Sequence, residues 1–368
     1  MKSRTRWDKI RGPLFVNGVL ALLVIIWLVP VLGLFISSFR DRFSLQTTGW
    51  WTILPHKEWT IVEEIDPRAE GLDSQGVMEV GGVSATFEEL RAGVQTPEGQ
   101  RVQWVGNRRI GYIQVQDREW TVNWDFTLDN YKQVLAGKAF EYQRPDGTVE
   151  VIQGDNFSVA LFNSIAVSVP ATVIPILIAA FAAYGFAWMN FPGRRFLFIM
   201  VVALLVVPLQ IALVPILRDY AKLQINGTFL AIWLAHTGFG LPLATYLLFN
   251  YISTLPRETL ESAFIDGASH FTIFLKLILP LSVPALASFA IFQFLWVWND
   301  YLVALIFLGG SRELQVVTFR LASIVGDRGQ DWHLLTAAAF ITMLLPLLVF
   351  FGLQRYFVRG LLAGSVKG

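Results

Sequence analysis

Residues Phe157–Met189 read FSVALFNSIAVSVPATVIPILIAAFAAYGFAWM, a stretch with no Asp, Glu, Lys or Arg. A helix of roughly 20 apolar residues crosses a hydrocarbon core about 30 Å thick, so this stretch alone is long enough to span a membrane. Uncharged runs of similar character lie at 13–39, 196–217, 228–251, 277–298 and 334–353. The first follows Lys2, Arg4, Arg6, Lys9 and Arg11, but it exceeds the apolar core of about 7–15 residues found in a cleaved leader, and it reads as an uncleaved span. The expected fold is an all-α polytopic membrane protein with six transmembrane helices. Composition agrees, since 54% of the 368 residues are hydrophobic and only 15% are charged, against about 25% charged in a soluble domain.

Charge on the connecting segments sets the orientation. With the N-terminus in the cytoplasm, the short cytoplasmic segments hold twelve basic residues and four acidic ones, while the two short outer loops hold five of each. Excess Lys and Arg mark the cytoplasmic side. Between the first two spans, residues 40–156 carry 12 basic and 19 acidic residues and 6 of the 13 tryptophans. This reads as an inserted extracytoplasmic β-rich domain, with strand character at 59–62, 76–80, 101–105 and 109–115. Thr86 followed by Glu89 has the spacing of a capping box for a short helix at 86–92, and most of the six tryptophans are expected in the module's core. The divisions are then 1–39 (N-terminus and first span), 40–156 (outer domain), 157–357 (five-helix core) and 358–368 (cytoplasmic tail).

Several classes of chemistry are excluded. The chain has no cysteine, hence no disulfide, thiolate nucleophile or cysteine-ligated metal. Its four histidines show no i, i+3 or i, i+4 pair of the kind that binds zinc, and His270 and His333 read as surface or interface residues. No charged residue lies within the apolar runs, which removes the usual proton relay of a secondary carrier. Asn163, His236, Thr237, Thr245 and Gln293 are expected to hydrogen-bond between packed helices. No G-x-x-x-x-G-K-S/T loop is present to cradle a triphosphate.

The cytoplasmic segment 253–271 carries the functional signal. Thr254 reads as an N-cap, Pro256 lies in the first turn, and Asp266-Gly267 reads as a stop, giving a surface helix with Leu260, Ala263 and Phe264 on one face. Within it, Glu261-Ser262-Ala263, three residues, Gly267, nine residues and then Leu277-Ile278-Leu279-Pro280 resembles the E-A-A…G…I-x-L-P signature of permease subunits in binding-protein-dependent ABC importers. Ser262 and Leu277 depart from it mildly. Phe126–Tyr131, Phe162-Asn163-Ser164, Trp298–Leu305 and the tail Gln354–Gly368 are similar to stretches of the smaller permease subunit of maltose-type carbohydrate importers. The enlarged outer segment is similar to that of the α-glucoside branch.

The resemblance implies a non-catalytic subunit of the bacterial inner membrane, with both termini cytoplasmic. It would form half of the pathway for a di- or oligosaccharide. Its implied partners are a second homologous permease, two cytoplasmic ATPase subunits that bind the ATP and Mg, and an extracytoplasmic sugar-binding protein. Glu261, Ser262, Ala263, Phe264, Asp266, Gly267 and Pro280 would couple to an ATPase. Gly360, Gly364 and Lys367 would make a C-terminal ATPase contact as an extended tail, and Gly326, Asp327, Arg328 and Gln330 would form a sugar-release loop facing the binding protein. A secondary carrier or channel, or a membrane-anchored receptor or enzyme using the outer domain, is the alternative.

Overall fold

Most prolines of the apolar runs lie inside continuous helices, and one, Pro208, coincides with a break. The computed structural model describes residues 6–137, 139–143, 149–153, 156–327 and 331–363. Helix α1 (Arg6–Ser38) carries the first run. Its large apolar side chains between Leu14 and Phe35 are exposed, as suits a helix solvated by lipid. A short helix, α2 (Arg42–Thr47), follows.

Residues Phe43–Phe126 form one compact unit. Its strands are β1 (His56–Ile65), β2 (Val77–Val80) and β3 (Val83–Thr86), then, after helix α3 (Phe87–Ala92), β4 (Val94–Gln95), β5 (Arg101–Val105) and β6 (Tyr112–Thr121). They make an antiparallel sheet ordered β1-β6-β5-β4 and a separate β2-β3 hairpin. Thr86 caps α3 as its spacing predicts: the Glu89 carboxylate accepts from the Thr86 amide at 2.8 Å, and the Glu89 amide donates to the Thr86 hydroxyl. Met78, Leu90, Val102, Trp104 and Ile113 fill the core.

The tryptophans depart from expectation, because Trp104 alone of the six is buried, while Trp51, Trp120 and Trp124 are exposed. On one face of the β1-β6 ribbon Arg118 lies over Trp59 and Lys57 over Trp120, at 5.0 and 5.7 Å, so the indoles are covered by cations instead of core. The unit is also shorter than 40–156. Helix α4 (Asp129–Ala136) and the hairpin of β7 (Ala139–Gln143) and β8 (Val149–Gln153) group with the helical unit. Asn130 explains α4's position, since its buried amide donates to the Ser38 and Arg40 carbonyls at 2.9 and 2.7 Å and satisfies acceptors exposed at the end of α1.

The helical unit continues through α5 (Phe157–Trp188), α6 (Arg194–Ala203), α7 (Leu209–Lys222), α8 (Phe229–Ile252), α9 (Arg257–Ile265), α10 (His270–Ile273), a π turn (Phe274–Ile278), α11 (Leu279–Asn299), α12 (Leu302–Leu308), α13 (Val317–Asp327) and α14 (Trp332–Ala363). Among the described residues, five helical stretches are long and apolar enough to cross a membrane. The sixth expected span, 196–217, is not one helix. It is two, Arg194–Val206 and Leu209–Lys222, bent by 104°. Pro208 causes the break, because it lacks an amide donor and holds Val207 extended at ψ 117°.

Small residues let the central helices approach closely. Ala179, Ala180 and Ala183 of α5 and Ala244 of α8 share one buried cluster. Polar side chains then tie helix to helix. Gln293 of α11 donates to the Ala171 and His236 carbonyls at 3.1 and 3.4 Å, and Asn163 of α5 reaches the Glu313 and Gln315 carbonyls. Thr245 is buried as well, whereas the side chains of His236 and Thr237 make no hydrogen bond among the described residues. His333 is buried, against expectation, and His270 is exposed.

Candidate coupling site

Helix α9 begins differently from the expected reading. Thr254 does not cap it, because its hydroxyl donates back to the Tyr251 carbonyl at 2.7 Å; Pro256 occupies the N-cap position, with no side-chain cap. The end follows the sequence signal closely. The Gly267 amide donates to the Phe264 carbonyl and the Ala268 amide to the Ala263 carbonyl, both at 3.0 Å, with Gly267 at φ +78°. This pair of bonds is a Schellman stop, which favours glycine because the left-handed conformation crowds a Cβ.

Four elements hold α9 in place. Leu260 is fully buried and packs in a cluster with Ala183 and Tyr184 of α5, Leu248 and Ile252 of α8, and Phe274 and Ile278 of the π turn. Ser269 caps the next turn by accepting from the Thr272 amide at 3.2 Å. Tyr184 Oη and His270 Nδ1 are hydrogen-bonded at 2.8 Å, and the Phe264 and His270 rings meet edge-on at 5.0 Å. Displacing α9 therefore disturbs the adjoining ends of α5 and α8 and the π turn together.

Pro280 sits at the start of α11, directly after the π turn. A proline removes one amide and crowds the carbonyl four residues earlier; the wider turn accommodates both, with the Leu279 amide donating to the Phe274 carbonyl. The conjunction of Gly267 and Pro280 in the motif thus has two local causes, a tight stop and a wide turn.

The outward side of α9 is available to another chain. Glu261, Ser262 and Asp266 are exposed, Ala263 is half-buried, Phe264 is 39% exposed and Ile265 is 86% exposed. Glu261 Oε1 lies 3.3 Å from Arg257 Nε one turn earlier, a solvated pair of little net worth. The sequence reading did not single out Ser269, nor foresee the pairing of Tyr184 with His270. A serine three residues before Thr272 was the available signal for the first, whereas the other two meet only through the fold.

The other candidates differ from expectation. Gly326 and Asp327, expected in a loop, are helical, because α13 runs to Asp327; Arg328 and Gln330 lie outside the described residues. Gly and Asp there gave a false turn signal, because α13 carries an apolar stripe that overrides them. Likewise α14 runs to Ala363, placing Gly360 in a helix where an extended tail was expected, while Gly364 and Lys367 lie outside the described residues.

This arrangement defines a class: a polytopic helical membrane protein with a short, deeply anchored surface helix. The chain belongs to the family of binding-protein-dependent transport system inner membrane components, whose profile matches residues 175–362. It is a multi-pass inner-membrane transport subunit and not an enzyme. It is 49% identical to the osmoprotective compounds uptake permease protein GgtD of Synechocystis sp., over 93% of this chain and 88% of that one. It is 47% identical to the α-glucoside transport system permease protein AglG of Rhizobium meliloti, over 94% and 95% of the two chains. A solved structure of a bacterial ABC transporter for alginate import shares the fold, with a TM-score of 0.58 at 16% identity over 97% of this chain and all of that one.

Proposed function

We propose that this chain is the smaller permease subunit of an ATP-driven carbohydrate importer, forming half of the transmembrane pathway for a di- or oligosaccharide of the α-glucoside class. The observation that carries the coupling role is the anchoring of α9: Leu260 is fully buried while Glu261, Phe264 and Ile265 remain exposed beside it. A helix so built transmits a push from outside into α5, α8 and α11. Its driving partners are two cytoplasmic ATPase subunits, which hold the ATP and Mg, and the pathway is completed by a second, homologous permease. Closure of the ATPase pair moves α9 and tips the spans between inward-open and outward-open. A ligand shifts such an equilibrium only by its differential affinity for the two states, and ATP supplies that difference.

The termini are cytoplasmic and the unit Phe43–Phe126 faces outward, a reading supported by the basic excess on one set of loops. There the unit extends the docking surface for a sugar-binding protein. Gly326, Asp327, Arg328 and Gln330 are assigned to sugar release. Gly360, Gly364 and Lys367 belong to a terminal segment that touches an ATPase subunit.

The α-glucoside assignment draws on 47% identity to AglG along nearly the whole chain. A second reading, import of an osmoprotective compound, is favoured by the 49% identity to GgtD. Uptake and ATPase stimulation by the reconstituted complex, measured across α- and β-linked disaccharides and osmoprotective solutes, separates them. Stimulation by α-linked glucosides is expected; response only to osmoprotective solutes selects the second reading.

A further inference from the structure

Five of the six tryptophans in residues 40–156 escape the core of the Phe43–Phe126 unit, and they fall in only two segments, 50–59 and 120–124. The structure draws those segments together. The Asn123 amide donates to the Thr52 carbonyl and the Trp124 indole to the Ile53 carbonyl, both at 2.9 Å, where the turn Trp50–Ile53 meets the chain leaving β6. Trp51, Trp120 and Trp124 remain 59%, 70% and 67% exposed, with Leu54, Val122 and Phe126 exposed in the same segments or just beyond them. Away from these segments and the chain crossings, the exposed large apolar residues of the unit are Ile61, Val62, Val77 and Ile110, none of them aromatic. Single exposed apolar residues are ordinary, whereas a clustered aromatic set marks a surface with an occupant.

Chain connectivity limits what that occupant is. The chain leaves the helical unit after Arg42 and returns at Thr127, whose amide donates to the Phe39 carbonyl at 2.6 Å, one residue past the end of α1. Each residue advances a chain by at most about 3.6 Å, so Trp124 lies within about 11 Å of Thr127. Helix α1 is long and apolar enough to cross a membrane, and its large side chains are exposed as far as Phe35. The headgroup layer beside the hydrocarbon core is about 5–8 Å deep. Trp124 and Phe126 are thus tethered within reach of that layer, and the Asn123–Thr52 bond holds Trp51 with them.

The chemistry of the patch suits the same layer. An indole sits there with its ring toward the apolar side and its N–H toward water, while Lys and Arg lay their stems along apolar surface and keep their charges in the wet zone. Lys57 over Trp120 and Arg118 over Trp59 have this arrangement. A sugar stacking on those two rings would have to displace the cations. Long-range charge is not the driving force, because residues 43–126 hold seven basic and thirteen acidic residues; insertion of the rings supplies the binding, and a zwitterionic surface suffices.

We propose that the aromatic end of the Phe43–Phe126 unit, with Trp51, Trp120 and Trp124, is a lipid-interface anchor that seats in the headgroup layer at the end of α1. The anchor requires α1 to span the membrane and is independent of which solute the complex carries.

The absence of cysteine makes single-site probes unambiguous. Val122→Cys, between two anchor indoles, and Val77→Cys, exposed on the β2-β3 hairpin, each receive a polarity-sensitive fluorophore in the full chain held in phosphatidylcholine nanodiscs. Lipid spin-labelled at the headgroup is expected to quench the Val122 probe and to leave the Val77 probe unchanged. Adding Trp51→Ser and Trp120→Ser to Val122→Cys is expected to abolish most of that quenching, with unchanged hydrogen exchange across 101–105 showing that the unit is folded; Trp120→Ser alone gives a partial loss should the double variant unfold. The anchor is overturned if the two probes are quenched alike or neither is, or if quenching persists in the folded double variant. It is also overturned if the Val122 probe is untouched by lipid and becomes shielded only when a binding protein or an oligosaccharide is added, which would make this face a protein-docking or sugar-stacking surface.

Discussion

Leu260 and Gly267 divide the work of α9 between packing and backbone. Leu260 is fully buried, and truncating such a leucine to alanine costs about 2–5 kcal/mol. Because its neighbours are the span ends, Leu260→Ala is expected to loosen α9 and lower uptake at least tenfold, with membrane insertion unchanged by fractionation. At Gly267 the φ of +78° matters more than space, since an added Cβ meets nothing within 4 Å. Left-handed backbone costs a non-glycine residue roughly 1–2 kcal/mol, least for asparagine. Uptake should therefore rank wild type, Gly267→Asn, Gly267→Val; equal activity of the two variants would show that conformation at this position is immaterial. Asn130 is the third decisive residue. Asn130→Ala withdraws two bonds at the end of α1 and is expected to destabilise that junction by about 1–3 kcal/mol, seen as faster hydrogen exchange at 127–131 in the full chain.

At the scale of elements, α3 tests the capping argument. The Thr86 amide and hydroxyl hold the Glu89 carboxyl below its ordinary value. The stabilisation is therefore complete above the usual carboxylate range and is lost as pH falls through the lowered value. Hydrogen exchange across 87–92, corrected for intrinsic rates, should rise only under acid conditions; in Thr86→Ala it should be high throughout, for a loss of about 0.5–2 kcal/mol. This capping box, the β segments and five apolar helices were legible because each is encoded by spacing within a few residues. The bend at Val207-Pro208 was not, since a hydropathy run does not tell a kinked helix from a broken one. The π turn before Pro280 was hidden for a similar reason: it answers a clash with a carbonyl four residues back, which only the backbone path reveals. The exposed tryptophans mislead because β1 and β6 pair Trp59 with Arg118 and Lys57 with Trp120 across a ribbon, a register no local pattern announces.

At the scale of the whole molecule, the chain divides into the Phe43–Phe126 unit and the helical unit, and the proposed function gives each its own task. The first has its own core and an exposed Trp-cation ribbon. Replacing it with a short linker is expected to lower binding-protein affinity, measured on the assembled complex, while the helical unit still inserts. In the proposed mechanism the second converts motion of α9 into rearrangement of the spans. The motif of Glu261, Gly267 and Pro280 was readable in the sequence, whereas the packing of Leu260 with Tyr184 and Phe274 required the fold. The central claim is that α9 is the contact through which ATPase closure drives transport. It is tested most directly by Glu261→Lys in the reconstituted complex, with uptake and ATPase association measured on the same preparation. Reversal of a charge that becomes part-buried against a partner, as proposed for Glu261 in the complex, costs on the order of 2–5 kcal/mol. The prediction is loss of uptake with weakened ATPase association in a normally inserted chain; normal uptake with unchanged association would contradict it.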